Sequence, residues 1–209
     1  GMNSALTPWM YSKIKKGDIR SMRKVLQLLS IVVVGIAVAL MLISPELVLI
    51  FGSPKYHEAV YVIPPVAASV FFIFIYNILS MPQFYYEKTQ FLMAASMAAA
   101  GANVVLNFIF IHLFGYIAAG YTTLACYMLY SVGHYIVSKR ILVNEGIQEN
   151  LMNPGFLLAC SVFLIGASII CNLIFPYRIL RYAILLASAG LVFWKKELLL
   201  KTMADIRKK

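Results

Sequence analysis

Charge is what this sequence lacks most. Charged residues make up only 12% of the 209-residue chain, which is about half the share found in typical soluble domains. Hydrophobic residues make up 62% of it, and the mean hydropathy is +0.83. This composition excludes an ordinary water-soluble domain and predicts an integral membrane protein.

Recognisable catalytic and metal-binding patterns are also missing. The chain has eight acidic residues, and we expect all of them in loops or at helix ends. No apolar run contains a carboxylate pair, a Ser/His/Asp arrangement or a glycine-rich phosphate loop. Cys126, Cys160 and Cys171 lie inside apolar runs without CxxC spacing, as small buried hydrophobic side chains do. The sequence therefore predicts no enzyme, no metal site and no cofactor.

Basic residues, in contrast, outnumber acidic ones and give a formal net charge of +10. They cluster between apolar runs rather than along one face, which argues against a nucleic-acid surface. Anionic headgroups and membrane topology account for such clusters. We therefore expect membrane lipids, and no nucleic acid, among the partners.

Runs free of charge locate the membrane spans. A helix needs about 20 apolar residues to cross the hydrocarbon core, and the runs are continuously apolar, which favours helices over strands. The predicted fold is an all-α integral membrane protein with six transmembrane helices: residues 25–43, 59–80, 91–111, 117–137, 155–175 and 178–194. The last run is short, and Arg178 and Arg181 are expected to snorkel and extend it.

Five segments follow along the chain. Residues 1–24 are predicted as the end of a preceding helix plus a basic cytoplasmic loop, with an interfacial amphipathic segment as the alternative for residues 5–11. Residues 25–137 form a four-helix core, and 138–153 form a cytoplasmic loop. Residues 154–194 add two helices, and 195–209 form a basic tail along the inner leaflet.

The basic residues also orient the predicted helices. Six spans place both termini on one side, and 15 of the 18 Lys and Arg residues then fall on that side. Cytoplasmic connections carry such an excess of positive charge. Both termini are therefore predicted to be cytoplasmic.

Neutral polar residues inside the spans are the candidates for a functional site. Ser96, Ala100, Asn103 and Asn107 are spaced four, three and four residues apart, so they share one helix face. For the neighbouring alanines, tight helix packing is the favoured interpretation. For Asn103 and Asn107, bonding to a neighbouring helix and exposure to a wet cavity remain equally open.

The span 59–80 carries a second polar face. Tyr76, with Asn77 beside it, could line a sugar-facing stripe together with Ser69 and Ser80, or these groups could bond to other helices. Two prolines, Pro64 and Pro65, precede this face. They favour the first turn of a helix over a flexible break used during transport.

Two further candidates lie toward the predicted cytoplasmic side. His134 is the only titratable side chain well inside a span; proton handling is one interpretation, and interface anchoring near the end of the span is favoured. Tyr85, Tyr86 and Lys88 could stack on sugar rings and attract a pyrophosphate. The favoured alternative for them is an aromatic belt with a solvated turn.

The sequence motifs around these residues resemble those of one family of transporters. FG-x-x-x-Y (51–56), QFYYEKT (83–89) and FGYIAAGYTT (114–123) look like the C-terminal half of bacterial polysaccharide (O-antigen and capsule) flippases. These belong to the multidrug/oligosaccharidyl-lipid/polysaccharide exporter superfamily. The resemblance covers residues 5–140, and residues 150–209 match only as generic additional spans.

The resemblance implies one lobe of a MATE-like transporter in the bacterial inner membrane. Such a transporter moves a lipid-pyrophosphate-linked oligosaccharide by alternating access between two lobes, so the missing N-terminal lobe would be a partner and this chain a fragment. The family places cations in its cavity, whereas no Lys or Arg lies mid-span here, so Lys88 at the mouth or the missing lobe would take that role. The alternatives are half of a multidrug or cation exporter, or a membrane scaffold subunit.

Overall fold

The computed structural model describes residues 2–194, and this part of the chain is entirely helical. The elements in chain order are α1 (Met2–Lys15), α2 (Ile19–Phe51), a 3-10 helix (Pro54–Val62), α3 (Ile63–Tyr85), α4 (Gln90–Phe114), α5 (Ala118–Asn144), α6 (Pro154–Ile174) and α7 (Arg178–Trp194). The prediction of an all-α protein is confirmed. The tail predicted for 195–209 lies outside the described residues.

Four of the described helices are long and apolar enough to cross a membrane. They are Ile19–Phe51, His57–Tyr85, Gln90–Phe114 and Pro154–Ile174. By this measure of length and composition, α5 and α7 are not among them. Membrane-helix character is thus shown for four helices, and six spans stay a prediction.

Helix α3 is the centre of the bundle, with α2, α5 and α6 packed around it. Its buried face includes Phe71, Ile75 and Leu79. Against α5 the approach is closest at Gly120, where a Cβ would lie 2.7 Å from Pro65 Cγ and 2.9 Å from the Val62 carbonyl oxygen. Only glycine leaves room for this contact between the two helices.

The start of α3 settles the role of its two prolines. Both lie at the first positions of the helix, where a missing N–H costs nothing. The favoured interpretation of Pro64 and Pro65 is therefore confirmed. Residues 59–62, however, belong to the preceding 3-10 helix, and α3 continues past the predicted end to Tyr85.

Helix α2 runs well beyond the predicted span 25–43, because Pro45 does not end it. Proline lacks the N–H that would bond the carbonyl of Met41, and Ser44 Oγ donates to that carbonyl instead, at 2.8 Å. The helix then continues through Glu46 to Phe51. The expectation that every acidic residue lies in a loop or at a helix end is therefore wrong for Glu46.

Arg181 on α7 is the partner of this carboxylate. Its guanidinium donates two bonds of 2.8 Å to Glu46 and a third, of 2.7 Å, to the Leu42 carbonyl. Only 3% of Arg181 is exposed. Snorkelling was thus the wrong expectation for Arg181, because a partly buried acid satisfies its charge; Arg178 is exposed.

Two predicted loops are shorter than expected. Since α2 begins at Ile19, the basic stretch before residue 25 is largely helical. An ion pair of 2.6 Å between Lys13 and Asp18 holds the turn between α1 and α2. Likewise α5 continues to Asn144, so about half of the predicted loop 138–153 is helix. Both helices extend because basic side chains are tolerated wherever they reach the surface.

The first helix packs onto the bundle. Trp9 and Met10 of α1 are buried, and the hydroxyl of Thr7 donates to Met81 Sδ of α3 at 3.7 Å. The segment 5–11 is thus part of a helix, as predicted, and contacts α3 rather than lying apart from the other helices.

Polar contacts between loops mark the two ends of the bundle. At one end Lys88 pairs with Glu145 at 2.7 Å. At the other end the Tyr116 hydroxyl donates to Glu58 at 3.2 Å, next to the α4–α5 turn at Gly115, whose φ is 76°. The turn lies where it was predicted. Which end faces the cytoplasm stays a prediction.

Candidate functional site

A cavity of about 460 Å³ between α4 and α5 is the main candidate site. One tyrosine of α3 closes its third side. The lining residues are Tyr76, Ser96, Ala99, Ala100, Asn103, Val104, Thr123, Cys126, Tyr127 and Tyr130. None of these side chains carries a formal charge, and most of the polar ones are hydroxyls.

Helix α4 contributes the face that its spacing predicts. Ser96, Ala100 and Asn103 all line the cavity, because positions separated by three or four residues point the same way on a helix. Helix α5 lines the opposite side of the cavity with residues at the same spacing: Thr123, Tyr127 and Tyr130. The cavity is thus formed by two matched polar faces.

Aromatic rings form the wall nearest α3. The Tyr76 ring is stacked with Tyr127, with centroids 6.3 Å apart and planes 7° from parallel. The Tyr76 and Tyr130 centroids are 4.7 Å apart at an angle of 59°. Such rings present flat faces and phenol hydroxyls together, so one surface offers both stacking and hydrogen bonding.

Hydrogen bonds join the two polar faces at both ends of the cavity. Ser96 Oγ and Tyr130 OH are 2.7 Å apart. Asn107 Nδ2 donates to Asn103 Oδ1 at 3.0 Å, and the Thr122 hydroxyl donates to Asn107 Oδ1. Bonding to a neighbouring helix is thus found for Asn107, which is bonded to α5. Asn103 lines the cavity, and whether that cavity is wet stays a prediction.

The small residues of α4 do not pack as expected. All of this helix is described, and none of its residues is buried; at Gly101 an added Cβ would meet nothing within 4 Å. Within this chain the alanines are therefore not tightly packed, and packing against a helix of another chain stays a prediction. The surface that they form is open, with Ala99 and Ala100 facing the cavity.

His134 lies behind the aromatic wall and does not line the cavity. It is fully buried, its Nδ1 lies 2.7 Å from Gln83 Nε2, and its ring meets Tyr130 edge to face at 4.5 Å. Helix α5 continues for ten residues beyond it to Asn144. Contact with lipid headgroups does not fit this position, because the His134 side chain is fully buried and points inward; where it lies relative to the membrane stays a prediction.

The remaining polar residues of α3 bond to their own helix. Asn77 Nδ2 donates to the Ile73 carbonyl at 2.7 Å. Ser69 and Ser80, both buried, donate to the carbonyls of Val66 and Asn77 at 2.6 and 2.8 Å. Of the predicted sugar-facing stripe, only Tyr76 reaches the cavity.

The loop candidates form a separate cluster after the end of α3. Tyr85 and Tyr86 meet edge to face at 4.8 Å, and Lys88 Nζ lies 5.8 Å from the Tyr86 ring centre. Burial, together with the Glu145 carboxylate nearby, raises the pKa of Tyr86 above its usual value. Its phenol is therefore neutral at physiological pH, while the Lys88 charge is paired with Glu145.

Four of the eight candidates therefore come together and four do not. Tyr76, Asn103, Asn107 and His134 lie in or beside the cavity, whereas Asn77, Tyr85, Tyr86 and Lys88 lie elsewhere. No family model, curated protein or solved structure matches this chain. The function must therefore be argued from the cavity itself.

The groups that line the cavity are suited to binding a ligand. Hydroxyls, an amide and tyrosine rings can hold a ligand with many hydroxyl groups, or an uncharged or cationic apolar one. Among the described residues, no three His, Cys, Asp or Glu side chains converge to hold a metal ion. Nothing lining the cavity pairs a nucleophile with a base.

Sequence reasoning missed part of the lining. Thr123, Tyr127 and Tyr130 of α5 were not among the predicted site residues, yet they repeat the four- and three-residue spacing of α4. Comparing the two helices for matching polar periodicity would have found them. Cys126 had no such signal, because a buried cysteine in an apolar run is typical of ordinary packing.

Proposed function

We propose that this chain is the C-terminal lobe of a transporter that moves a lipid-pyrophosphate-linked oligosaccharide across the bacterial inner membrane. The observation that carries the proposal is the cavity of about 460 Å³ lined by hydroxyl, amide and aromatic groups. Sugar hydroxyls bond to such groups, and sugar rings stack on tyrosine faces. The protein binds and moves its substrate without changing it chemically.

The exposed surface of α4 supports the proposal that a second lobe packs against this chain. This helix is apolar enough to cross a membrane, yet it packs within the chain mainly against α5 and has no buried residue. Its small residues permit close approach of another helix. A complementary lobe placed there would close the open side of the cavity and provide the second wall that alternating access requires.

The charge of the substrate limits what this lobe can do alone. A pyrophosphate needs cationic partners, and the cavity lining has none. In the proposal, the second lobe or Lys88 contacts the pyrophosphate, and this lobe contacts the sugars. If both termini are cytoplasmic, as the positive charges predict, Lys88 lies where the substrate would enter from the inner leaflet.

The same rings favour one second candidate, half of an exporter for organic cations. Tyr76, Tyr127 and Tyr130 surround one region of the cavity, and aromatic faces attract cations even without an acidic residue. Export of a lipophilic cation would depend on the rings, whereas export of a glycan would also depend on Asn103.

The experiment is complementation of a flippase-null bacterial strain by the native-length gene. Surface glycan is measured for wild type, for Asn103→Leu with Asn107→Leu, and for Tyr76→Ala. Val105→Leu is the matched control, because Val105 is 56% exposed on α4 and does not line the cavity. Resistance to a lipophilic cation is measured in parallel.

Loss of surface glycan in the cavity variants, with unchanged protein level and a normal control, would support the proposal. Loss of cation resistance in Tyr76→Ala alone would favour the cation exporter. Full activity of all variants in both assays would overturn transport through this cavity and favour a scaffold subunit.

A further inference from the structure

A second cavity, of about 270 Å³, lies between α3, α5 and α6, on another side of α5 from the first. We call it the α3–α5–α6 groove. Phe71, Phe72 and Ile75 of α3 form its floor, and Val132 and Leu158 form its rim. These two rim residues are 55% and 67% exposed. Because α3 and α6 have membrane-helix character, the rim opens toward hydrocarbon.

The hydroxyls in this groove are directed into their own helices. Ser131 Oγ donates to the Met128 carbonyl at 2.8 Å, and Ser161 Oγ donates to the Leu157 carbonyl at 2.7 Å. Their hydrogens therefore point away from a ligand. What remains is an apolar channel suited to a hydrocarbon chain.

One end of the groove is basic. The α5 positions that line it, Met128, Val132 and Tyr135, are separated by four and three residues. Lys139 follows four residues after Tyr135, which places it on the same face about 6 Å further along the helix. Lys139 is exposed and forms no ion pair with any described residue.

Of the charged groups near this end, Arg23 and Glu149 are already engaged. Arg23 of α2 donates to the Asn150 carbonyl at 2.7 Å and lies 3.4 Å from the Glu149 carboxylate. The charges of Arg23 and Glu149 therefore largely offset each other. Arg140 is exposed as well but lies on another face of α5, so Lys139 is the cation that an anionic headgroup in the groove would meet.

We propose that the α3–α5–α6 groove binds an acyl chain of an anionic bilayer phospholipid, with its phosphate beside Lys139. Lipid tails are as apolar as the groove, so burying one there adds little energy by itself. The headgroup therefore decides which lipid is retained, and one basic residue accounts for a preference of about fivefold. This site does not depend on transport, since a scaffold subunit would bind the lipid equally well.

The test measures lipid retained by the purified protein. The protein is equilibrated with equal amounts of phosphatidylglycerol and phosphatidylcholine carrying the same acyl chains, and bound lipid is counted by native mass spectrometry. Lys139→Gln removes the cation. Arg140→Gln is its matched control, because Arg140 is also exposed but lies on a different face of α5.

Two further variants fill the groove. Val132→Phe and Ser161→Phe place a ring where the chain would lie, and Ile170→Phe is the control, because Ile170 is 55% exposed on α6 outside the groove. Val132 is at the exposed rim, so its variant is expected to fold even if Ser161→Phe does not.

Wild type is expected to retain about five times more phosphatidylglycerol than phosphatidylcholine. Lys139→Gln should bring this ratio close to one, and Val132→Phe should at least halve total bound lipid, with both controls unchanged. An unchanged ratio in Lys139→Gln, or unchanged binding in Val132→Phe, would overturn the proposal.

Discussion

The Tyr76 ring of α3 and the Tyr130 ring of α5 lie with their centroids 4.7 Å apart and their planes tilted by 59°. Tyr130 also bonds Ser96 of α4 through its hydroxyl, at 2.7 Å. One side chain thus connects three helices around the cavity. Its ring and its hydroxyl can be tested separately.

Tyr130→Phe keeps the ring and removes the hydroxyl. A hydrogen bond between helices in a membrane is worth about 0.6 kcal/mol, so we expect a loss of stability below about 1 kcal/mol. Tyr130→Ala also removes the ring contacts with Tyr76 and His134, and should cost about 3 kcal/mol. Unfolding by denaturing detergent measures both values.

Tyr177→Phe, at a residue that is 64% exposed, is the control for loss of a hydroxyl. Equal losses of stability in Tyr130→Phe and Tyr130→Ala would show that the hydroxyl, and not the ring, joins the helices.

The Glu46–Arg181 pair is predicted to be the main polar link between α2 and α7. Arg181→Met leaves a partly buried carboxylate without its cation, which should destabilise the protein by about 3 kcal/mol. The double variant Glu46→Leu with Arg181→Met removes both charges and should recover most of this loss. Thermal unfolding in detergent checks both values.

Arg178→Met is the matched control, since Arg178 lies at the start of the same helix and is exposed. A double variant as unstable as Arg181→Met alone would show that the ion pair is not what matters at this position.

Close approach of α3 and α5 at Gly120 gives a third prediction. In Gly120→Ala the new Cβ would lie 2.9 Å from the Val62 carbonyl oxygen, which is backbone and cannot turn aside. We expect a loss of about 1–3 kcal/mol from overpacking. At Gly166 of α6 an added Cβ meets nothing within 4 Å, so Gly166→Ala should not destabilise. Equal unfolding midpoints for the two variants would contradict the close packing.

The buried hydrogen-bonded pair of Gln83 and His134 gives a fourth prediction. Gln83→Leu leaves the His134 Nδ1 without its partner in a fully buried position, and an unmet buried polar group costs about 1–3 kcal/mol. Replacing both residues, as Gln83→Leu with His134→Phe, should restore part of the loss. A double-mutant cycle with no coupling between the two positions would exclude the hydrogen bond.

Much of the fold followed from apolar runs and turn residues. The helical class, the turn at Gly115 and the two prolines at the start of α3 were all predictable, because each depends on local sequence. The ends of the helices were less predictable. Pro45 and Glu46 predict the end of a helix. The structure shows why α2 continues: the neighbouring Ser44 hydroxyl bonds the Met41 carbonyl, and the distant Arg181 pairs with Glu46.

The candidate site was predictable on one helix and not on the other. The polar face of α4 stands out against an apolar background, so Asn103 was found. In the sequence, Tyr127 and Tyr130 are typical of ordinary aromatic residues in a membrane helix. Only the structure shows that Tyr76 of α3 packs against both of them. His134 was expected near the end of its helix because Lys139 and Arg140 suggested the end of a span, whereas α5 continues to Asn144.

The most direct test of the account asks whether the cavity between α4 and α5 is wet while the opposite face of α4 is shielded from water, by lipid or by the second lobe. Cys126, Cys160 and Cys171 are replaced by alanine, and a single cysteine is introduced as Ala100→Cys, in the cavity lining, or as Val105→Cys, outside it. A water-soluble thiol reagent is applied to membranes carrying each variant. We predict that Ala100→Cys reacts at least about ten times faster, because the thiolate that reacts forms in water and not in hydrocarbon. Equal rates at the two positions, or faster reaction at Val105→Cys, would contradict a water-filled transport path in this lobe.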